Sequence, residues 1–271
     1  LTRLIRVAVQ IPPAGARSYR QWRDAVIRAE DVGVDVILGY EHFLVPSVHG
    51  QDDEGRPVLK DAQTPTSNFE SWTSLAAWAE MTSRPELGLL VGGAGFRNPD
   101  LLADMARTVD HISDGRLILG LGAGWYEPDY REYGYDFGTA KTRHQVFLDA
   151  LERIRLRLPK LIPPSLRNIP LLIGGTGERL TIPTAARYAD IWHVGAEIGP
   201  FARKDDVLRR SADEIGRDHR EIERAVKWRS ARSADPLLEA GATLFTATVS
   251  AMTDFSFAEL TDVLRWRDSH R

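Results

Sequence analysis

The sequence predicts an α/β chain folded as a single (β/α)8 TIM barrel, one domain over residues 1–271. Three observations predict it. Eight strand-like runs alternate with helix-like stretches from end to end. No Ser/Gly-rich linker interrupts that alternation. The length of 271 residues fits one such barrel, which takes about 250.

Leu4–Ile11 reads as the first strand, stopped by Pro12-Pro13. Ser18 caps a helix in which Tyr19, Trp22, Val26 and Ala29 recur at helical spacing, and Gly33 ends it. Val34–Tyr40 is the second strand. A polar stretch, Ser47–Asn68, reads as a loop before a helix carrying Trp72, Leu75 and Ala79. Leu87–Val91 is the third strand and runs into Gly92-Gly93-Ala94-Gly95. Asn98-Pro99 supplies the N-cap and first position of the next helix, which Ser113-Asp114-Gly115 closes. Arg116–Leu121 is strand four, and a helix over Thr142–Leu158 leads to strand five, Ile169–Ile173. The helical piece Leu180–Tyr188 precedes strand six, Asp190–Val194. A helix over Asp205–Gly216 precedes strand seven, Arg224–Trp228. A short helix within Ser233–Ala240, an eighth strand (Thr243–Val249) and a helix over Phe257–Arg267 complete the pattern.

Composition narrows the function. Basic and acidic residues number 35 and 38, so the basic stripe of a nucleic-acid binder is not expected. With no cysteine, disulfides, thiolate nucleophiles and Cys-ligated metals are excluded. The histidines show neither HxH nor HExxH spacing, so no metal is expected, and no GxSxG elbow occurs. No apolar run is long enough for a membrane span, and Leu1–Gln10 lacks the apolar core of a secretory signal. The expected setting is the cytoplasm. The seven tryptophans read as core.

In such a barrel the C-terminal ends of the strands form the active face. Glu41 and His42 follow strand two, an ionisable pair suited to acid–base work with Glu41 orienting or charging the imidazole; the bland reading is a surface histidine. The glycines after strand three admit a flat ligand or simply make a tight loop. After strand four, Gly120-Leu121-Gly122-Ala123-Gly124 matches a dinucleotide fingerprint only loosely, and Pro128 sits where a Rossmann helix should already run. After strand five, Gly174-Gly175-Thr176-Gly177 offers successive N–H groups before a helix, either a phosphate nest or a glycine turn.

Taken together, these segments resemble the luciferase-like monooxygenase superfamily, above all its branch using the deazaflavin coenzyme F420. The resemblance is carried by Ala29–Asp35, Glu41-His42-Phe43, Phe96–Pro99, Ser113–Arg116, Gly120–Trp125, Ile173–Glu178, Ala186–Asp190, Gly216–Asp218 and Arg265–Asp268. It implies a flavin-like ring across the barrel mouth and an oxidoreductase exchanging a hydride between F420 and a small organic substrate. It also implies a homodimer. His42 resembles the family's histidine at the reacting centre, and Glu41 stands where Asp is usual. Val91, Gly92 and Gly93 resemble the bulge behind the ring, where the family often has a non-proline cis peptide. Gly174, Gly175, Thr176 and Gly177 resemble the phosphate-binding loop, and Gly122, Ala123 and Gly124 belong with the cofactor-binding residues. Trp125 stands where the family's F420-dependent sugar-phosphate dehydrogenases carry a catalytic glutamate, which argues against that substrate. Leu158–Ile169 is short where relatives carry an insertion partly covering the ring, so an open mouth is expected. Arg56, Lys60 and Arg97 are the candidates to meet the polyglutamate tail of F420. The alternatives are an FMN-dependent monooxygenase of the same superfamily and a non-catalytic barrel that binds a flavin-like ligand.

Overall fold

A computed structural model describes residues 4–51, 57–60, 66–195 and 197–270. The first half contains β1 (Arg6–Gln10), α1 (Tyr19–Asp31), β2 (Val36–Gly39) and a two-stranded ribbon, β3 (Val48–Gln51) with β4 (Pro57–Leu59). It continues with α2 (Ser71–Met81), β5 (Glu86–Leu89), β6 (Gly92–Gly93), α3 (Pro99–Ile112) and β7 (Leu117–Gly122). Then come α4 (Glu127–Glu132), α5 (Ala140–Arg157), β8 (Leu171–Gly174), α6 (Thr181–Tyr188) and β9 (Ile191–Val194). The chain ends with α7 (Ile198–Glu214), β10 (Glu223–Lys227), α8 (Ala231–Glu239), β11 (Ala242–Thr248) and α9 (Ala258–Asp268).

Among the described residues, eight parallel strands close into a barrel, with β5 and β6 as two pieces of one interrupted strand. Neighbours run β5, β2, β1, β11, β10, β9, β8, β7, and β7 returns to β5 through Leu87 opposite Leu117. Successive side chains alternate across each strand. Ala8, Val36, Leu38, Ile118, Leu172, Ile191, Ala225 and Leu244 therefore fill the barrel axis. Val7, Val9, Ile37, Leu119, Ile173 and Phe245 point outward and pack beneath the helices. Burial of that outer layer, at about 25 cal/mol per Å2 of apolar surface, is what holds the helices on.

The local signals act as read. Ser18 accepts the Gln21 N–H, and Gly33 at φ +87° ends the helical turn. The Asn98 side chain accepts the Asp100 N–H ahead of Pro99. Ser230 and Ser233 form a reciprocal cap that starts the nine-residue α8.

Three readings change, and one element is new. Part of the stretch read as a polar loop forms the antiparallel β3–β4 ribbon. The short α4 had no helical period to reveal it. Trp125 is 40% exposed, unlike the other six tryptophans, which are buried. The segment before β8 does not border the mouth at all. Arg167 bonds Glu86 and the Leu117 carbonyl at the strand starts, and the Leu166 N–H bonds Asp110. Leu158–Ile169 thus closes the opposite end of the barrel, and its length has no bearing on how open the mouth is.

Candidate functional site

The alternation that fills the axis also builds the mouth. Two residues beyond Ala8, Leu38, Leu172 and Ile191 stand Gln10, Tyr40, Gly174 and His193, which turn the same way. They line a cavity of ≈ 620 Å3 at the C-terminal strand ends, together with His42, Val91, Trp125 and Thr248. That volume lies in the range of small-molecule and cofactor sites.

His42 sits on this wall with its ring held from behind. Its Nδ1 lies 2.6 Å from Asp129 Oδ2. A carboxylate only accepts, so Nδ1 carries the proton and Nε2 is left as the second ring nitrogen. The other oxygen of Asp129 accepts the N–H of Phe43 at 3.0 Å and of Leu44 at 2.7 Å. One fully buried carboxylate therefore fixes both the ring and the turn that carries it. Tyr40, Trp125 and Tyr126 meet the imidazole edge to face, with centroids 5.1, 5.6 and 5.7 Å away. Burial, and then the Asp129 charge, push the Tyr40 phenol well above its usual range, so it stays an O–H group.

Glu41 does not orient His42. Adjacent residues in extended chain face opposite ways. The Glu41 carboxylate accepts the Gly93 N–H at 2.8 Å and pairs through both oxygens with Arg97. This buried pair holds the interrupted strand, and the Glu41 N–H adds a bond to the Val91 carbonyl at 3.3 Å. Arg97 is thereby engaged inside the wall. Of the other two basic candidates, Lys60 lies just past β4 and Arg56 lies outside the described residues.

The Leu90–Val91 peptide is cis. From the axis, Gln10 Nε2 donates to the Leu90 carbonyl at 2.8 Å. Val91 lodges against two glycines. A Cβ on Gly122 would stand 2.8 Å from Val91 Cγ2, and one on Gly174 would stand 3.1 Å from Cγ1. Those glycines make room for Val91, which presents an apolar face to the mouth. Gly175 adopts φ +139°, and its N–H goes to the His193 carbonyl at 3.0 Å. The first amide of the glycine loop is thus committed, leaving Thr176, Gly177 and Glu178 as its candidate donors.

Of the residues singled out from sequence, Glu41, His42, Val91, Gly92, Gly93, Gly124, Gly174 and Gly175 line one cavity. Gly122 and Ala123 stand behind that wall, and Thr176 and Gly177 continue the loop beyond it. Asp129, Tyr40, His193 and Gln10 are additional. Among the described residues no cluster of three or more His, Asp or Glu could hold a metal ion, and no helix is long and apolar enough to cross a membrane.

The model of the luciferase-like monooxygenase family matches residues 4–236. An uncharacterized protein of Mycobacterium tuberculosis is 27% identical over 178 residues, 57% of this chain and 62% of that protein. The phthiodiolone/phenolphthiodiolone dimycocerosates ketoreductase of the same organism is 28% identical over 218 residues, 72% of this chain and 57% of the ketoreductase. The alignments span about six tenths of the length of these curated relatives. An F420-dependent secondary alcohol dehydrogenase, solved with an F420-acetone adduct, superposes with TM-score 0.78 at 16% identity. The match covers 95% of this chain and 96% of that one. The FMN-bound oxygenating constituent of 3,6-diketocamphane monooxygenase from Pseudomonas putida superposes with TM-score 0.63 at 17% identity, covering 83% and 67%. At these identities the likeness to solved structures is one of fold.

Proposed function

The chain belongs to the luciferase-like monooxygenase family, and on that premise we propose that it is an oxidoreductase exchanging a hydride between coenzyme F420 and a small organic substrate. The single observation that carries the proposal is His42 in the mouth, its Nδ1–H held by buried Asp129. The residues fit a flat, phosphate-bearing ring. Val91 offers an apolar backing surface, and the glycine loop beside it ends in amides suited to phosphate. The F420-dependent secondary alcohol dehydrogenase, at TM-score 0.78 against 0.63 for the FMN-bound chain, supports F420 as the first cofactor to test.

When bound, F420 supplies the ring carbon that gives or accepts the hydride. His42 holds or takes the substrate proton at Nε2, because Asp129 has fixed the proton on the other nitrogen. Leu90, Val91, Phe96 and Trp125 are the apolar side chains that would border the reacting centre. Thr176 and Gly177 would hold the cofactor phosphate through backbone N–H groups, and Glu41 with Arg97 keeps the backing segment in place. A cytoplasmic homodimer is the setting this reading expects, and sedimentation tests the dimer. Mass spectrometry of the protein purified from an F420-producing host tests the cofactor, with F420 expected to co-purify. Recovery of FMN instead, with oxygen uptake by the reduced protein, would replace this reading by the monooxygenase one.

A further inference from the structure

His193 is the second imidazole of the mouth, and nothing in the proposed chemistry uses it. It follows Ile191 by two residues on β9, so it turns toward the axis above the inner core. Its strand neighbour across β8 is Gly174, which has no side chain to crowd the ring. Three other polar side chains of the wall have protein partners: His42 has Asp129, Glu41 has Arg97, and Gln10 donates to the Leu90 carbonyl. Of the described residues lining the mouth, His193 alone keeps a buried side-chain polar atom, Nε2, with no hydrogen-bond partner. Burial, and then the charge of Lys227, pull its titration down to about 4, so the ring is neutral at physiological pH. A buried ring nitrogen left unmatched is destabilising unless something meets it.

We propose that His193 is a specificity-determining residue whose ring hydrogen-bonds an uncharged oxygen, a carbonyl or hydroxyl, of the molecule that fills the mouth. The inference rests on the mouth being the cofactor and substrate site. A neutral imidazole suits such an oxygen, because it carries one N–H donor and one acceptor nitrogen. It offers no charge to a carboxylate or phosphate, and Arg97, the nearby guanidinium, is already paired. The oxygen has two possible sources, the ring of the cofactor or the substrate, and they separate by experiment.

The test compares wild type with His193→Phe, which keeps a flat ring without nitrogen, and with His193→Gln, which keeps a neutral donor and acceptor. Circular dichroism establishes that each variant is folded. Dissociation constants are measured for F420 and for FMN, and then for cyclohexanol and cyclohexanone on the cofactor-loaded proteins. If the oxygen belongs to the cofactor, His193→Phe weakens cofactor binding roughly five- to tenfold and His193→Gln restores most of it. If it belongs to the substrate, cofactor binding is unchanged, and alcohol or ketone binding weakens by a similar factor with the same rescue. Equal constants for wild type and His193→Phe in both arms overturn the assignment, as does a wild type that binds cofactor but neither probe with His193→Phe matching its cofactor affinity. A wild type that binds neither F420 nor FMN removes the underlying reading instead, and the inference with it.

Discussion

Asp129 Oδ2 and His42 Nδ1 stand 2.6 Å apart across 87 residues of sequence, and the same carboxylate also binds the two amides that follow the histidine. The relationship fixes which nitrogen faces the mouth. In Asp129→Asn the amide oxygen stays with the Phe43 and Leu44 N–H groups, so its NH2 points at Nδ1. The imidazole must then accept there and carry its proton on Nε2. Turnover with a substrate should fall by roughly 10²-fold or more, with cofactor affinity nearly unchanged. Nitrogen NMR of the ring should report the switched tautomer. His42→Ala should cost roughly 10²–10⁴ in kcat. Wild-type turnover in either variant would remove His42 from the chemistry.

Glu41 makes a different prediction from a catalytic acid. Truncation to Ala leaves the Arg97 guanidinium, 13% exposed, without its counter-charge. Stability to urea should drop by roughly 3–5 kcal/mol, the cost of breaking a buried pair. The pH profile of whatever activity survives should keep its shape. A reshaped profile with stability intact would return Glu41 to acid–base work.

Gly175 is constrained twice, by φ +139° and by Thr181 Cγ2, 2.9 Å from where a Cβ would stand. Gly175→Asp also brings a carboxylate to the loop assigned to phosphate. Cofactor affinity should fall tenfold or more, about 1.4 kcal/mol at least. A folded variant with unchanged affinity would place the phosphate elsewhere.

The depressed titration of His193 has a consequence for stability. The ring titrates at about 4 when folded and near ~6.5 in an unfolded chain. Between those values the unfolded state binds the extra proton, so stability falls as pH drops. The contribution is complete above pH ~6.5 and is lost progressively toward pH ~4, on the order of 3 kcal/mol. The wild-type urea midpoint should therefore fall relative to that of His193→Gln as pH drops from 6.5 to 4.5. Parallel curves would show that the ring is not desolvated.

The barrel was legible in the sequence because its evidence is periodic: Val7, Ala8 and Val9 alternate between layers, and Ser18, Asn98 and Gly33 punctuate helices by local chemistry alone. The site was half legible. Glycines and His42 advertise themselves at strand ends, but Asp129 lies in a six-residue helix behind Pro128, too short to show a period. Adjacency alone suggests pairing Glu41 with His42, whereas Glu41 pairs with Arg97. Strand alternation, applied past Gly39, already turns Tyr40 and His42 one way and Glu41 the other. His193 needed only the same count from Ile191. The lodging of Val91 against Gly122 and Gly174 depends on strands brought together by closure, which no local pattern encodes.

The most direct measurement is an equilibrium titration of the purified protein with F420 and, separately, with FMN, followed by tryptophan fluorescence. Trp125 is the half-exposed indole on the wall of the mouth, beside His42, and serves as the reporter. The account predicts saturable quenching by F420, much of it lost in Trp125→Leu, and weaker binding of FMN. Tight FMN binding, or no binding of F420 by a folded protein, would contradict it.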